Sequence, residues 1–161
     1  VVGGLSLGGY LSLAFHLRHP ERVRALMLFD CGPGFRRDEP RDAWNEQAKE
    51  RGERIAAREP RALQSLEPGG HRDLAGVARA ARYMMHHHDG SVLESLPSIR
   101  VPALVLAGER DTPFLAGIDY MARKIPNAEK TVLPDAGHTA NLDNPAAFNA
   151  AVSGFLARLP A

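Results

Sequence analysis

The stretch Val1-Val2-Gly3-Gly4-Leu5-Ser6-Leu7-Gly8-Gly9 decides how the chain is to be read. Val1-Val2 has the character of a strand end. Leu7 to His19 carries Leu11, Ala14, Phe15 and Arg18 at helical intervals, and Pro20 stops it. Between them, Gly4-Leu5-Ser6-Leu7-Gly8 has the form Gly-x-Ser-x-Gly. A tight strand-to-helix turn lifts a serine hydroxyl clear of a sheet, and the glycines let neighbouring backbone pass closely. The N–H of Leu7, at the head of the helix, would then face an oxyanion formed beside Ser6. The same letters also describe a glycine-rich turn with a surface serine, so the decision falls to the rest of the chain.

Moving outward, Val23 to Phe29 is a short apolar run with little alternation, which predicts a strand buried on both faces. Asp30-Cys31-Gly32-Pro33-Gly34 breaks it as a loop. The C-terminal part repeats the alternation. Val101 to Ala107 predicts a second buried strand, Thr112-Pro113 opens a helix to about Lys124, and Lys130 to Leu133 predicts a third strand. Asn144-Pro145 opens a last helix with Phe148, Val152, Phe155 and Leu156 on one side. Strands alternating with helices mean βα units and a parallel sheet. Between Phe35 and Pro97 no strand is expected. Helices are expected over Asp42–Arg58, Asp73–Met85 and Ser91–Leu96, separated by Pro60, Pro68-Gly69-Gly70 and Gly90. The expected organisation is therefore an α/β core over 1–34 and 98–161 with a helical insertion over 35–97.

A serine hydroxyl is a weak nucleophile without a base, and the base needs a partner that holds its tautomer. Asp111 follows the strand that ends at Ala107, and His138 follows the strand that ends at Leu133. In a parallel sheet those C-terminal edges share one rim, where sites collect. The order Ser6, Asp111, His138 is the one expected around a nucleophile elbow. Asp30 also follows a strand and is the rival for the acid role, with Asp111 preferred. Asp135 is too near His138 in the chain to orient it and is read as a turn residue.

Composition narrows the classes. The chain has 161 residues, 20 Lys+Arg against 19 Asp+Glu, a net charge of +1, 44% apolar and 24% charged residues. That is ordinary globular composition with a core of useful size, and it gives no general pull toward nucleic acid or an anionic membrane. No run approaches the ~20 apolar residues of a membrane span. Cys31 is the one cysteine, so an intramolecular disulfide and cysteine-rich zinc sites are excluded, and it reads as a packing residue. His86-His87-His88 invites a metal, but consecutive helical residues point in different directions, and a solvated or cap-lining cluster is preferred. The Gly-rich turn lacks both Gly-x-Gly-x-x-Gly spacing and a following Lys, so no metal, nucleotide or flavin cofactor is expected. Residue 1 is Val and the chain opens in mid-element, which suggests that residues precede it. The lack of a leader therefore says nothing of location, for which the cytoplasm is the expectation.

The run Gly4-Leu5-Ser6-Leu7-Gly8-Gly9, then His19-Pro20-Glu21-Arg22-Val23, then Asp135-Ala136-Gly137-His138 resembles the C-terminal part of an α/β-hydrolase-fold protein, with the insertion in the place of that family's cap. The resemblance covers nearly the whole chain. It implies Ser6 as nucleophile, His138 as general base and then acid, and Asp111 as the residue that orients His138. Relatives that open epoxides or displace halide carry Asp at the elbow, so Ser6 disfavours those chemistries. It further implies a second oxyanion donor from a loop before the elbow, and further strands beside Val1-Val2, neither of which this sequence contains. The implied reaction is hydrolysis of a carboxylic ester or lactone of a small molecule through an acyl-enzyme, with Trp44, Tyr83, Met84 and Met85 as candidate lining residues. A C–C bond hydrolase, an amidase or a thioesterase would use the same triad. A hydrolase-fold binding protein, or a fragment inert without its upstream part, are the readings from other classes. Neither nucleic acid nor membrane is an expected partner, and the sequence leaves the oligomeric state open.

Overall fold

The structure, a computed structural model, describes residues 1–57 and 73–160. The expected breaks at Pro60 and Pro68-Gly69-Gly70 lie outside the described residues. Two compact units are present, one formed by Val1–Gly34 with Ser91–Ala161 and the other by Phe35–Gly90.

The first unit is built on four parallel strands in the order β1 (Val2–Leu5), β2 (Leu26–Phe29), β3 (Ala103–Gly108) and β4 (Ala128–Leu133). Register pairs Leu5 with Phe29, Phe29 with Leu106 and Leu106 with Thr131, so all four strands end along one rim. Every residue of β3 is buried, as an apolar run in the middle of a helix-covered sheet requires. Its side chains divide by strict alternation. Ala103, Val105 and Ala107 join Leu13 of α1 (Leu7–Arg18), Val92 of α4 (Ser91–Ser95), Leu96, and Ile118 and Met121 of α5 (Thr112–Lys124). Leu104 and Leu106 face the other way, toward Ala140 of α6 (Ala140–Asp143) and Phe155 of α7 (Pro145–Ala157). Each fully buried Leu or Val on this strand contributes roughly 1.5–3 kcal/mol by removal from water. The α/β class with a parallel sheet and flanking helices is thus observed.

Strand limits differ from the expectation. Val23 closes a 3-10 turn over Pro20–Arg22 by donating to Pro20 O, so pairing in the second strand begins only at Leu26. β4 begins two residues earlier than the apolar run, at Ala128, because an edge strand with one covered face tolerates Glu129 and Lys130.

The second unit contains α2 (Asp38–Ala56) and α3 (Leu74–Arg79), the latter continued by a π-helical turn over Ala80–Met84. Gly52 permits close packing of α2 on α3, since a β-carbon there would stand 2.8 Å from Ala78 O. Asn45 clamps the segment after the π turn, its Nδ2 donating to His87 O at 2.9 Å and its Oδ1 accepting from His87 N at 2.8 Å.

Candidate active site

Ser6 occupies the turn between β1 and α1, half-buried, with φ 55° and ψ −116°. That left-handed conformation costs an L-residue about 1–2 kcal/mol and persists only where the surroundings hold it. Here they do. The Ser6 N–H donates to Phe29 O at 2.8 Å, while Ser6 O accepts from Gly9 and Tyr10 at the first turn of α1. A β-carbon on Gly4 would stand 2.6–2.9 Å from the backbone of Gly8, so the first Gly of the motif is required by a close approach of strand and helix. Leu7 is the first residue of α1, and helix geometry leaves its N–H without an intrahelical acceptor.

Asp111 sits at the N-cap of α5, a position where Asp ordinarily accepts from its own helix. Its side chain makes no such bond. Oδ2 instead lies 2.9 Å from Nδ1 of His138, 27 residues away in sequence, and only 5% of the Asp111 side chain is exposed against 41% for His138. A carboxylate only accepts, so Nδ1 carries the hydrogen and Nε2 keeps its lone pair for a second partner. The Phe114 ring, one turn into α5, stacks on the imidazole with centroids 4.9 Å apart and planes 27° from parallel. Sequence reasoning missed Phe114, whose only signal was its place three residues after Asp111. Ser6 and His138 share the rim but are not hydrogen-bonded to each other among the described residues. Such bonds are often long without substrate.

The turn that carries His138 is held from several sides. Asp135 adopts φ 58°, its N–H donates to Glu109 Oε1 at 2.7 Å, and its carboxylate pairs with Arg110. The Gly137 N–H donates to Asp143 Oδ2 at 2.8 Å, and Asn144 Nδ2 donates to Pro134 O at 3.0 Å. Gly108 lies directly beneath, where a β-carbon would come within 2.4 Å of the carbonyl oxygens of Ala136 and Gly137.

Asp30 ends β2 in a third left-handed conformation, φ 45°, fully buried. Its Oδ1 accepts from the Gly108 N–H at 2.9 Å. Burial pushes its carboxyl up to about 6, against the Gly108 hydrogen bond, with repulsion from Asp111 adding to the rise. Cys31 is buried next to it, and burial raises its thiol to about 12.

The remaining candidates belong to the helical unit. Trp44 donates from Nε1 to Met85 O at 2.7 Å and packs against Phe35 and His87. Tyr83 and Met84 are exposed, 63% and 47%. His87 is buried beside Phe35 and Trp44, and burial lowers it to about 4, while the rings of His86 and His88 face each other at 4.9 Å. Among the described residues no group of three or more His, Cys, Asp or Glu is placed to share a metal ion. Nor is any described helix long and apolar enough to cross a membrane.

A parallel sheet with a strained serine at a strand-to-helix turn, and a paired Asp and His on the same rim, defines an α/β hydrolase architecture. The sequence agrees: the alpha/beta hydrolase family matches residues 1–151, and the chain belongs to that family. It is 28% identical over 179 residues to 2-hydroxymuconate semialdehyde hydrolase of Pseudomonas sp. strain CF600, covering 98% of this chain and 62% of that protein. Among solved structures, MenH from S. aureus superposes with a TM-score of 0.82 at 21% identity, covering 96% of this chain and 66% of that one. A thermophilic esterase from Thermogutta terrifontis gives 0.74 at 26% identity, covering 98% and 64%. The chain spans 62–64% of the length of the curated relatives it matches along nearly all of its own length. The relatives so named are enzymes.

Proposed function

We propose that the protein of which this chain is a part is a serine hydrolase that cleaves a carboxylic ester or lactone of a small substrate through an acyl-enzyme. Ser6 Oγ attacks the carbonyl carbon, His138 Nε2 takes the hydroxyl proton, and the Leu7 N–H stabilises the oxyanion. His138 then returns that proton to the leaving oxygen, and a water activated by the same imidazole releases the acid and restores Ser6. Asp111 holds the Nδ1–H tautomer and stabilises the imidazolium. One oxyanion donor is worth ~10²–10³ in rate, so the Leu7 N–H is a sizeable part of the barrier reduction.

The observation that carries this reading is the 2.9 Å contact of a buried Asp111 with His138 Nδ1, made at the expense of a helix cap. The likeness to an esterase at 26% identity supports the ester reading. A C–C bond hydrolase with the same triad is the second reading, favoured by the likeness to 2-hydroxymuconate semialdehyde hydrolase. No cofactor is required by these steps, and the proposed location is the cytoplasm.

The test is turnover of a p-nitrophenyl ester beside a vinylogous 1,5-diketone. Ester cleavage lost in Ser6→Ala supports the first reading. Diketone cleavage with a silent ester supports the second, and neither activity, with no acyl-enzyme burst, refutes both.

A further inference from the structure

The proposed reaction makes no use of the Asp30 carboxyl, which nevertheless lies against the residues that carry it. Asp30 is wholly buried, and its backbone is fixed by donation to Leu106 O at 2.8 Å. Oδ1 is satisfied by the Gly108 N–H at 2.9 Å. Oδ2 is buried and meets no hydrogen-bond donor among the described residues. The titratable groups that face this carboxyl are Asp111, within hydrogen-bonding reach, then His138, and the neighbouring Cys31 thiol. Cys31 is neutral and His138 is already committed to Asp111 through Nδ1.

A buried carboxylate oxygen without a donor, beside a second carboxylate, is costly in both desolvation and repulsion. A single proton on Asp30 removes both costs, because it converts the repulsion into a charge-assisted O–H···O⁻ bond to Asp111. We propose that Asp30 is a positioning residue for the Asp111–His138 pair: it holds a proton that it donates in a hydrogen bond to Asp111, and loss of that proton places a second negative charge behind His138. This inference rests on the triad reading above. In the protonated state Asp30 steadies the carboxylate that orients the imidazole. When the proton leaves to solvent, both carboxylates are charged, and their joint field favours the imidazolium that forms as Ser6 surrenders its proton. The attraction between Asp30 and His138 acts in that direction. Burial, reinforced by Asp111 and opposed by the Gly108 N–H and His138, sets the change near pH 6.

Two measurements on the full chain test this. In the first, carboxyl ¹³C NMR follows the titration of Asp30 in the wild type and in Asp111→Asn. The expected midpoint is about 6 in the wild type, and lower once the Asp111 charge is removed. In the second, the rate of fluorophosphonate labelling at Ser6 is followed from acid to mildly alkaline pH for the wild type and Asp30→Asn. Asn keeps an acceptor for Gly108 and a donor for Asp111, so it imitates protonated Asp30. The two proteins should react alike at acid pH and diverge above the transition, with the variant slower by roughly tenfold. An Asp30 carbon that titrates in the ordinary aspartate range, or identical pH profiles, overturns the proposal. Wild-type protein that is never labelled at Ser6 overturns the hydrolase reading instead, and the carboxyl titration then decides the shared proton on its own.

Discussion

The backbone N–H of Gly108 donates to Oδ1 of Asp30 across 2.9 Å, tying the end of β3 to the end of β2 directly beneath the turn that carries His138. Removing the acceptor would strand a buried donor. Asp30→Ala is therefore expected to destabilise the fold by about 1–3 kcal/mol, whereas Asp30→Asn keeps the bond and tolerates a left-handed φ. Urea unfolding of the two variants checks the contrast.

Asp30 also makes stability depend on pH. An unfolded aspartate releases its proton near 3.8, the folded one near 6, so between these values the native state binds more protons. Stability then falls as pH rises through that window, by roughly 3 kcal/mol, and levels off above it. Asp30→Asn should lack this component, so its advantage over the wild type should grow from pH 4 to pH 7. Unfolding midpoints at the two pH values measure the difference, and a constant gap would contradict it.

Gly108→Ala should cripple the site more than it harms the fold. The new methyl would press within 2.4 Å of Ala136 O and Gly137 O and shift the turn that ends in His138. A displacement of about 1 Å at a reacting group costs on the order of 100-fold. Labelling at Ser6 should fall by that order while circular dichroism still reports a native sheet.

Phe114→Ala should lower labelling roughly 2- to 13-fold, since an aromatic pair of this geometry is worth ~0.5–1.5 kcal/mol and here it fixes the imidazole plane. Phe114→Tyr should restore the rate, whereas Phe114→Leu, which keeps bulk without the ring, should remain impaired; equal rescue by both would point to bulk alone.

Cys31 should be inert in the native protein. Its thiol is raised to about 12 by burial, so iodoacetamide at neutral pH should modify it only after unfolding. Rapid alkylation of the folded chain would show that this part of the structure is wrongly understood.

How much of this could be read from the residues depends on the length scale of each interaction. The elbow was legible because Gly4, Ser6 and Gly8 lie within one turn, and their spacing has a local steric meaning. The strand-end positions of Asp111 and His138 were legible from apolar runs that stop at Gly108 and Pro134. The start of β2 was not, because Val23 is as apolar as a strand residue and only its hydrogen bond to Pro20 removes it. Asp30 could be singled out as a strand-end carboxylate. Its environment beside Asp111 depends on the β2–β3 register, which pairs Phe29 with Leu106 across 77 positions of chain and has no local trace. The stacking of Phe114 on His138 is likewise tertiary.

The most direct test of the central claim is fluorophosphonate labelling of the wild type, Ser6→Ala, His138→Ala and Asp111→Asn, with the modified peptide located by mass spectrometry. Modification at Ser6 in the wild type, none in Ser6→Ala and a loss of at least about 10³-fold in His138→Ala is the predicted result, with Asp111→Asn strongly impaired. Labelling that persists in Ser6→Ala, or that ignores His138→Ala, would contradict the assignment of this rim as a serine hydrolase site.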